Sequence, residues 1–303
     1  MDASVDFARH LLQTVVNLHV AVPRAHPSAR ILGNERMGSG VIVDPGGLIL
    51  TVNYVVMGAQ TVEVGFVKGR RVKAEIVGQD FETGIAVLRV KRQGLVAAPL
   101  AAAGLELERG QSVVSVAATA PQERRVGGGV ITYLGEFEAY WEYLLERGIV
   151  SSAQNPGFGG GGLYSMTGAL LGIVSLNLNE VARCSLAIPV DCYREHESEL
   201  LRFGRITSRP RRAWLGVFAH AIDEGVVIAG IVPEGPGDRG GLQEGDIIVS
   251  LDAQEVCSRK ELYLSLWRHE PGERLMLEVV RDSKTRRVEV TTGDRAEFFK
   301  QKE

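Results

Sequence analysis

The sequence predicts a mainly β chain in two parts, and three observations carry that expectation. Short runs rich in Val, Ile, Leu and Thr recur at regular spacing, at 14–23, 38–56, 61–80, 84–90, 112–118, 129–135, 169–176 and 185–190. Turn residues such as Pro45-Gly46-Gly47 and Lys68-Gly69 separate several of them, which points to a sandwich or barrel and away from βαβ units. A basic stretch, "RITSRPRR" (205–212), then precedes a compact module with strands at "WLGVFAHAI", "GVVIAGIV", "DIIVSLD" and "RLMLEVVR" and one helix, "SRKELYLSLWRH".

Taken in order, residues 4–13 read as a short helix, 14–23 as a strand and "HPSARILGNER" (26–36) as loop. The 61–80 run reads as a hairpin, with Val62, Val64 and Phe66 alternating onto one face. "EFEAYWEYLLERG" (136–148) reads as a helix-like insertion, either a lid or recognition loop or a solvated local helix. "DCYREHESELLRFG" (191–204) reads as one amphipathic helix with Asp191 as N-cap and Gly204 as C-cap. The glycines of "PEGPGDRGGL" (233–242) put its short helix in question, and "DRAEFFKQKE" reads as a tail.

With 303 residues the chain has room for two or three domains. Its 45% hydrophobic and 23% charged content is that of a globular protein. A net charge of −3, from 34 basic and 37 acidic residues, argues against a general nucleic-acid binder or a membrane-surface protein. No run of 18 apolar residues occurs, and the N-terminus lacks the pattern of a signal peptide, so neither a leader nor a membrane span is expected. Cys184, Cys192 and Cys257 form no C-x-x-C pair. Idle thiols are expected, with a Cys184–Cys192 bridge as the alternative; no metal or other cofactor is expected.

Four stretches, "GSGVIVDPGGLILTVNYVV", "GQDFETGIAVLRV", "NPGFGGGGLY" and "CSLAIPVD", fall in the order and spacing of the HtrA/DegP-like serine proteases, and "WLGV" with "GLQEGDIIVSLD" resembles their PDZ domain. The resemblance covers roughly residues 5–296. It implies a mainly β fold: a chymotrypsin/trypsin-like double β-barrel followed by an α+β PDZ domain. The expected division is 1–208 for the protease fold, 209–296 for the PDZ domain and 297–303 for a tail.

The resemblance also implies a Ser-His-Asp triad, in which serine attacks, histidine takes its proton, aspartate orients the histidine and loop amides bind the oxyanion. Against the family's T-N-x-H-V-V this chain has "TVNYVV", which puts Tyr54 at the histidine position. Against T-D-x-A-V-L it has "TGIAVL", which puts Gly84 at the aspartate position. Against N-P-G-N-S-G-G-P-L it has "NPGFGGGGL", which puts Gly159 at the serine position. Glycine carries no nucleophile, and a phenol of pKa about 10 is a poor base at neutral pH. The expected protein is therefore a pseudoprotease with no catalytic residue. The alternatives are an endopeptidase using non-standard residues and an assembly scaffold that displays PDZ domains. None of the six histidines lies between residues 27 and 195, and Ser165 stands six residues beyond Gly159.

Gly157, Phe158 and Gly159 occupy the family's oxyanion loop. Either their amides still converge on a peptide carbonyl, or the run merely permits a tight turn and the nest has collapsed. In the PDZ-like module, Trp214, Leu215, Gly216 and Val217 match the loop whose amides hold a peptide's C-terminal carboxylate, with the peptide as an added strand beside Val217 to His220. Leu262 and Leu266 share one helix face, as groove wall or as core, and Arg211 and Arg212 lie upstream as helpers for the carboxylate. Peptides or unfolded polypeptides are the expected partners. The family implies a trimer, for which Phe7 to Leu12 is the candidate contact. The compartment is left open.

Overall fold

The computed structural model describes residues 3–179 and 182–300. The last three residues of the expected tail lie outside the described residues. Contacts divide the chain into two units: Met1–Glu136 with Glu146–Thr207, and Phe137–Leu145 with Ser208–Glu303. The stretch 137–145, which interrupts the first unit in sequence, clusters with the second.

The first unit opens with helix α1 (Ala3–Thr14) and continues as two closed six-stranded barrels. The first barrel has β1 (Val15–Ala21), β2 (Glu35–Ile42), β3 (Leu48–Val52), β4 (Thr61–Gly65), β5 (Val72–Gln79) and β6 (Ile85–Val90), in the order 1-2-3-6-5-4. β1 closes it, with Leu18 opposite both Gly38 of β2 and Val64 of β4. Two short helices lie between its strands, α2 (Pro27–Leu32) and α3 (Asn53–Val56). The second barrel has β7 (Ser112–Ala118), β8 (Arg124–Ala139), β9 (Tyr143–Ser151), β10 (Gly161–Ser165), β11 (Leu170–Asn177) and β12 (Ser185–Pro189), in the order 10-11-12-9-8-7. Closure leaves neither barrel an open edge. Leu18, Leu50 and Leu88 in the first barrel and Leu163 and Ile173 in the second are fully buried. Each such side chain contributes about 2 kcal/mol of apolar burial.

Two helices follow, α4 (Asp191–Arg194) and α5 (Glu197–Phe203). The single helix expected over 191–204 is therefore broken: His196 leaves helical geometry (φ −126°) and Asp191 is the first helical residue rather than the cap. Gly204 does terminate α5 in the left-handed region (φ 72°). Leu200 packs over Gly78 of β5, where any Cβ would meet the Leu200 backbone. Residues 26–36, expected as loop, carry α2 and the start of β2. His26 caps α2 by accepting from Ser28 N–H, and Pro27 takes a position needing no donor.

In the second unit β13 (Val217–Ile222), β14 (Gly225–Ile231), β15 (Ile247–Leu251), β16 (Gln254–Glu255), β17 (Arg274–Arg281) and β18 (Lys284–Thr291) form one sheet, with β13 at its edge. Helices α6 (Pro236–Gly240), α7 (Arg259–Leu266) and α8 (Arg295–Phe298) complete it. Despite its glycines, the 233–242 stretch makes α6: Pro236 starts it, and Gly241 ends it at φ 83°. Within the stretch expected as a tail, Arg295–Phe298 form α8, and the rings of Phe298 and Phe299 lie 4.9 and 5.6 Å from that of Trp214.

The helix expected at 136–148 does not form. These residues belong to β8, a tip and β9. Aromatic and β-tolerant residues at the tip side with strand once the flanking segments pair in the barrel, and tertiary pairing overrides the local helical pattern. Cys184, Cys192 and Cys257 are not joined by disulfides, and the first two are buried. No helix among the described residues is long and apolar enough to cross a membrane.

Candidate functional sites: a barrel cleft and an amide loop

In the first unit the fold brings Tyr54, Gly84 and Gly159 to one place. Tyr54 lies on α3, and the amide of the preceding Asn53 donates to the Gly84 carbonyl at 2.7 Å, so the turn after β5 and the end of β3 are held together. Gly84 has φ 86°, a left-handed conformation that favours glycine. The Tyr54 hydroxyl donates to the Ser175 carbonyl at 2.8 Å. It also fills the space beside Gly159: a Cβ on that glycine would collide with the Tyr54 hydroxyl oxygen and stand 3.1 Å from Ser175 O. Burial pushes the Tyr54 phenol up to about 12. It is therefore a neutral hydrogen-bond donor at physiological pH.

The loop at 157–160 is bonded to the strands beside it. Phe158 N–H donates to the Ala118 carbonyl (2.9 Å) and Gly160 N–H to the Val174 carbonyl (2.8 Å). Ser39 locks the loop from the first barrel: its amide donates to Gly159 O (2.7 Å), its hydroxyl donates to Phe158 O (2.8 Å) and accepts from Ala118 N–H (2.9 Å). The Phe158 amide is thereby committed to a main-chain carbonyl. Glycine is needed for close approach: side chains at Gly157 and Gly160 would run into the carbonyls of Ala118 and Ser39. The role of Ser39 was not legible in the sequence, because its partners are 79 and 119 residues away.

Other groups with catalytic chemistry are committed elsewhere. Ser165 bonds Thr167 Oγ1 (2.8 Å) and accepts from the amides of Thr167 and Ala169, inside its own turn. His26 Nδ1 does lie 2.8 Å from Ser28 Oγ, but Ser28 is fully buried, donates to Met57 O and accepts from Arg36. This pair is the cap of α2, closed to any substrate. Asp80, four residues before Gly84, accepts from Glu82 N–H and Thr83 Oγ1 in a local turn.

In the second unit Trp214, Leu215, Gly216 and Val217 form a loop of converging amides. Leu215 N–H (3.0 Å), Gly216 N–H (2.6 Å) and Val217 N–H (2.9 Å) all donate to the carboxylate of Glu142. Gly216 has φ 80°, which aims its amide inward. Trp214 anchors the loop through paired backbone bonds with Gly293. Leu262 and Leu266 are fully buried members of the module's core, together with Leu215, Ile228, Ile248 and Leu277. The α7 side chains that meet residues 137–145 are instead Arg259 and Tyr263, an i, i+4 pair one face over. Arg211 pairs with Asp294, and the Arg212 guanidinium lies 4.4 Å over the Trp267 ring. The cation beside Glu142 is Arg295, whose Nη1 reaches the Glu142 carbonyl at 3.4 Å. Sequence reasoning missed both Glu142 and Arg295, since neither lies in a recognisable motif.

Residues 38–173 match the trypsin-like peptidase domain family and residues 213–292 the PDZ domain family. Fold and matches together define the class: a mainly β, trypsin-like double barrel followed by one PDZ domain. Within that class the chain is HtrA/DegP-like, a homologue of the HtrA-family serine endoproteases. It is 31% identical over 288 residues to a probable periplasmic serine endoprotease, DegP-like, of Halomonas elongata, covering 88% of this chain and 59% of that protein. It is 28% identical over 290 residues to the serine endoprotease DegS of Haemophilus influenzae, covering 91% and 83%. The chain thus spans 59% of the length of the DegP-like relative. Among solved structures, HtrA-type protease AlgW with decapeptide superposes with TM-score 0.55 at 26% identity, covering 97% of this chain and 99% of the other. The serine endoprotease from Yersinia pestis has the same fold, with TM-score 0.57 at 24% identity and 97% and 98% coverage.

Proposed function

We propose that this chain is a pseudoprotease: it binds extended polypeptide through its PDZ groove and does not hydrolyse it. One observation carries the first half of the reading, the Tyr54 hydroxyl bonded to Ser175 O in the space where a side chain at Gly159 would stand. Acyl transfer needs a nucleophile, a base and an oriented base partner, and the three positions hold glycine, a neutral phenol and glycine. Loss of serine or histidine alone from a comparable triad lowers kcat on the order of 10⁶-fold.

The second half is supported by the three amides of Leu215, Gly216 and Val217, already arranged around a carboxylate. The roles that follow from binding without cleavage are chaperone, peptide sensor or regulatory partner. A trimer built through α1 belongs to the same proposal and is read by light scattering in solution.

The test is exposure of the protein to a serine-directed fluorophosphonate and to casein. Neither an adduct nor cleavage is expected. An adduct on any side chain lining the cleft overturns the reading. Binding of C-terminal peptides is expected to disappear in Gly216→Val, where a Cβ meets the Trp214 ring at 3.1 Å and the backbone has φ 80°.

A further inference from the structure

The segment "FEAYWEYLL" (137–145) takes in the end of β8, the turn at 140–142 and the start of β9, and no local pattern explains its position. Its contacts do. β13 is the edge of its sheet, paired on one side with β14 only. On the open side Ala219 N–H donates to the Tyr140 carbonyl at 2.6 Å, so the tip lies where an added strand would lie. The Tyr140 ring stacks on His220 at 5.2 Å and meets Phe218 at 5.9 Å. From α7, Tyr263 Oη donates to Ala139 O (2.7 Å) and accepts from Glu142 N–H (3.2 Å), while Arg259 pairs with Glu138 at 2.9 Å.

Glu142 completes the arrangement. It is 4% exposed, and its two carboxylate oxygens take all three loop amides. Its own backbone is left-handed, φ 53°, a conformation that is unusual outside glycine. That turn sends the main chain back into β9 while the side chain continues into the amide loop. A linear peptide ends at this point with its terminal carboxylate; here a side-chain carboxylate reaches the same donors from a chain that does not end.

We propose that residues 137–145 are an internal ligand of the PDZ groove, with the Glu142 carboxylate in the place of a peptide's C-terminal carboxylate, so that an outside peptide binds only by displacing this segment. The ligand class that can do so is an extended peptide with a free terminal carboxylate, because it must supply both the strand bond to Ala219 and an anion for Leu215, Gly216 and Val217. Displacement frees a segment joined at both ends to strands of the second barrel, which gives the bound and unbound states different conformations of β8 and β9. The displacement half rests on the peptide-binding reading above; the occupancy by the chain's own segment does not.

The apparent affinity for an outside peptide is lowered by the fraction of molecules whose groove is open. Two measurements on the full chain test this, with Glu142→Ala and the nearly isosteric Glu142→Gln. Hydrogen exchange is expected to rise tenfold or more at the amides of Leu215, Gly216 and Val217 in Glu142→Ala, and by less in Glu142→Gln. A decapeptide library with free C-terminal carboxylates is expected to bind Glu142→Ala at least tenfold more tightly than the wild type, and the same library amidated to bind neither. Unchanged exchange at these amides in both variants overturns the proposal, as does equal peptide affinity of wild type and Glu142→Ala. Raised exchange with no peptide bound to any variant upholds the internal seat and overturns the peptide-binding function instead.

Discussion

The Tyr54 hydroxyl occupies the space that a side chain on Gly159 would enter, although the two residues are 105 positions apart and come from different barrels. Tyrosine and glycine are therefore a matched pair. A phenol at 54 and no side chain at 159 are one packing solution.

The pairing makes a directional prediction. Gly159→Ser alone forces its Cβ onto the Tyr54 hydroxyl and is expected to cost about 2 kcal/mol by overpacking. Tyr54→His removes the obstructing ring end, so the double variant is expected to recover at least half of that loss. A double-mutant cycle from urea unfolding reads the coupling. Additive effects would remove the steric link. Adding Gly84→Asp is expected to cost about 1 kcal/mol more, because its φ of 86° disfavours a side chain.

Ser39 supplies the second prediction. Its hydroxyl serves both the Phe158 carbonyl and the Ala118 amide. Ser39→Ala leaves both unpaired at a buried site, an expected loss of about 2–3 kcal/mol in unfolding free energy. Ser39→Thr keeps the hydroxyl and is expected to lose less. A neutral Ser39→Ala would mean that the loop is not held by this contact.

Residue type and local spacing made most of the barrel strands legible, along with the Gly204 cap, whereas the loop at Trp214 to Val217 was read through family resemblance. The same information placed Tyr54, Gly84 and Gly159 at one site only through family resemblance, because barrel closure sets their proximity. The tip at 136–148 misled the reading for a physical reason. "EFEAYWEYLLERG" is rich in residues of good helix propensity, and nothing local marks Tyr140 as a partner of Ala219, 79 residues later. Glu142 was illegible for the same cause: a glutamate outside any motif reads as solvated until three distant amides are found around it. Leu262 and Leu266 illustrate the limit of an i, i+4 pattern, which marks a buried face but not whether that face is core or groove.

Arg124 carries the third prediction. It begins β8 of the second barrel, yet its Nε donates to Val15 O (2.8 Å) and its Nη2 to Gly65 O (2.6 Å), both in the first. Nη1 reaches Glu123 O (2.8 Å) and Ala120 O (3.1 Å). Burial draws this guanidinium down to about 10. Arg124→Ala is expected to cost about 3 kcal/mol, since it strands carbonyls of both barrels. Arg124→Lys is expected to recover less than half, because one ammonium cannot span both carbonyls as the fork does. Thermal unfolding by calorimetry measures both.

The last prediction concerns alkaline pH and isolates Tyr54. Its phenol is raised by burial from 10.0 to about 12, so the folded state holds the proton more tightly than the unfolded chain. The stabilisation is fully present below pH 10 and is lost as pH rises towards 12, because the unfolded state ionises first. Tyr54→Phe lacks this term and also lacks the bond to Ser175 O, which contributes about 1 kcal/mol. At pH 8 the wild type is therefore expected to be the more stable by about 1 kcal/mol. At pH 11 linkage has removed about 1.4 kcal/mol from the wild type alone, so the order is expected to reverse between pH 10 and 12. Urea unfolding of the pair at pH 8, 10 and 11.5 decides it. A constant difference across that range would mean that Tyr54 titrates like a solvent-exposed phenol and does not seal the cleft.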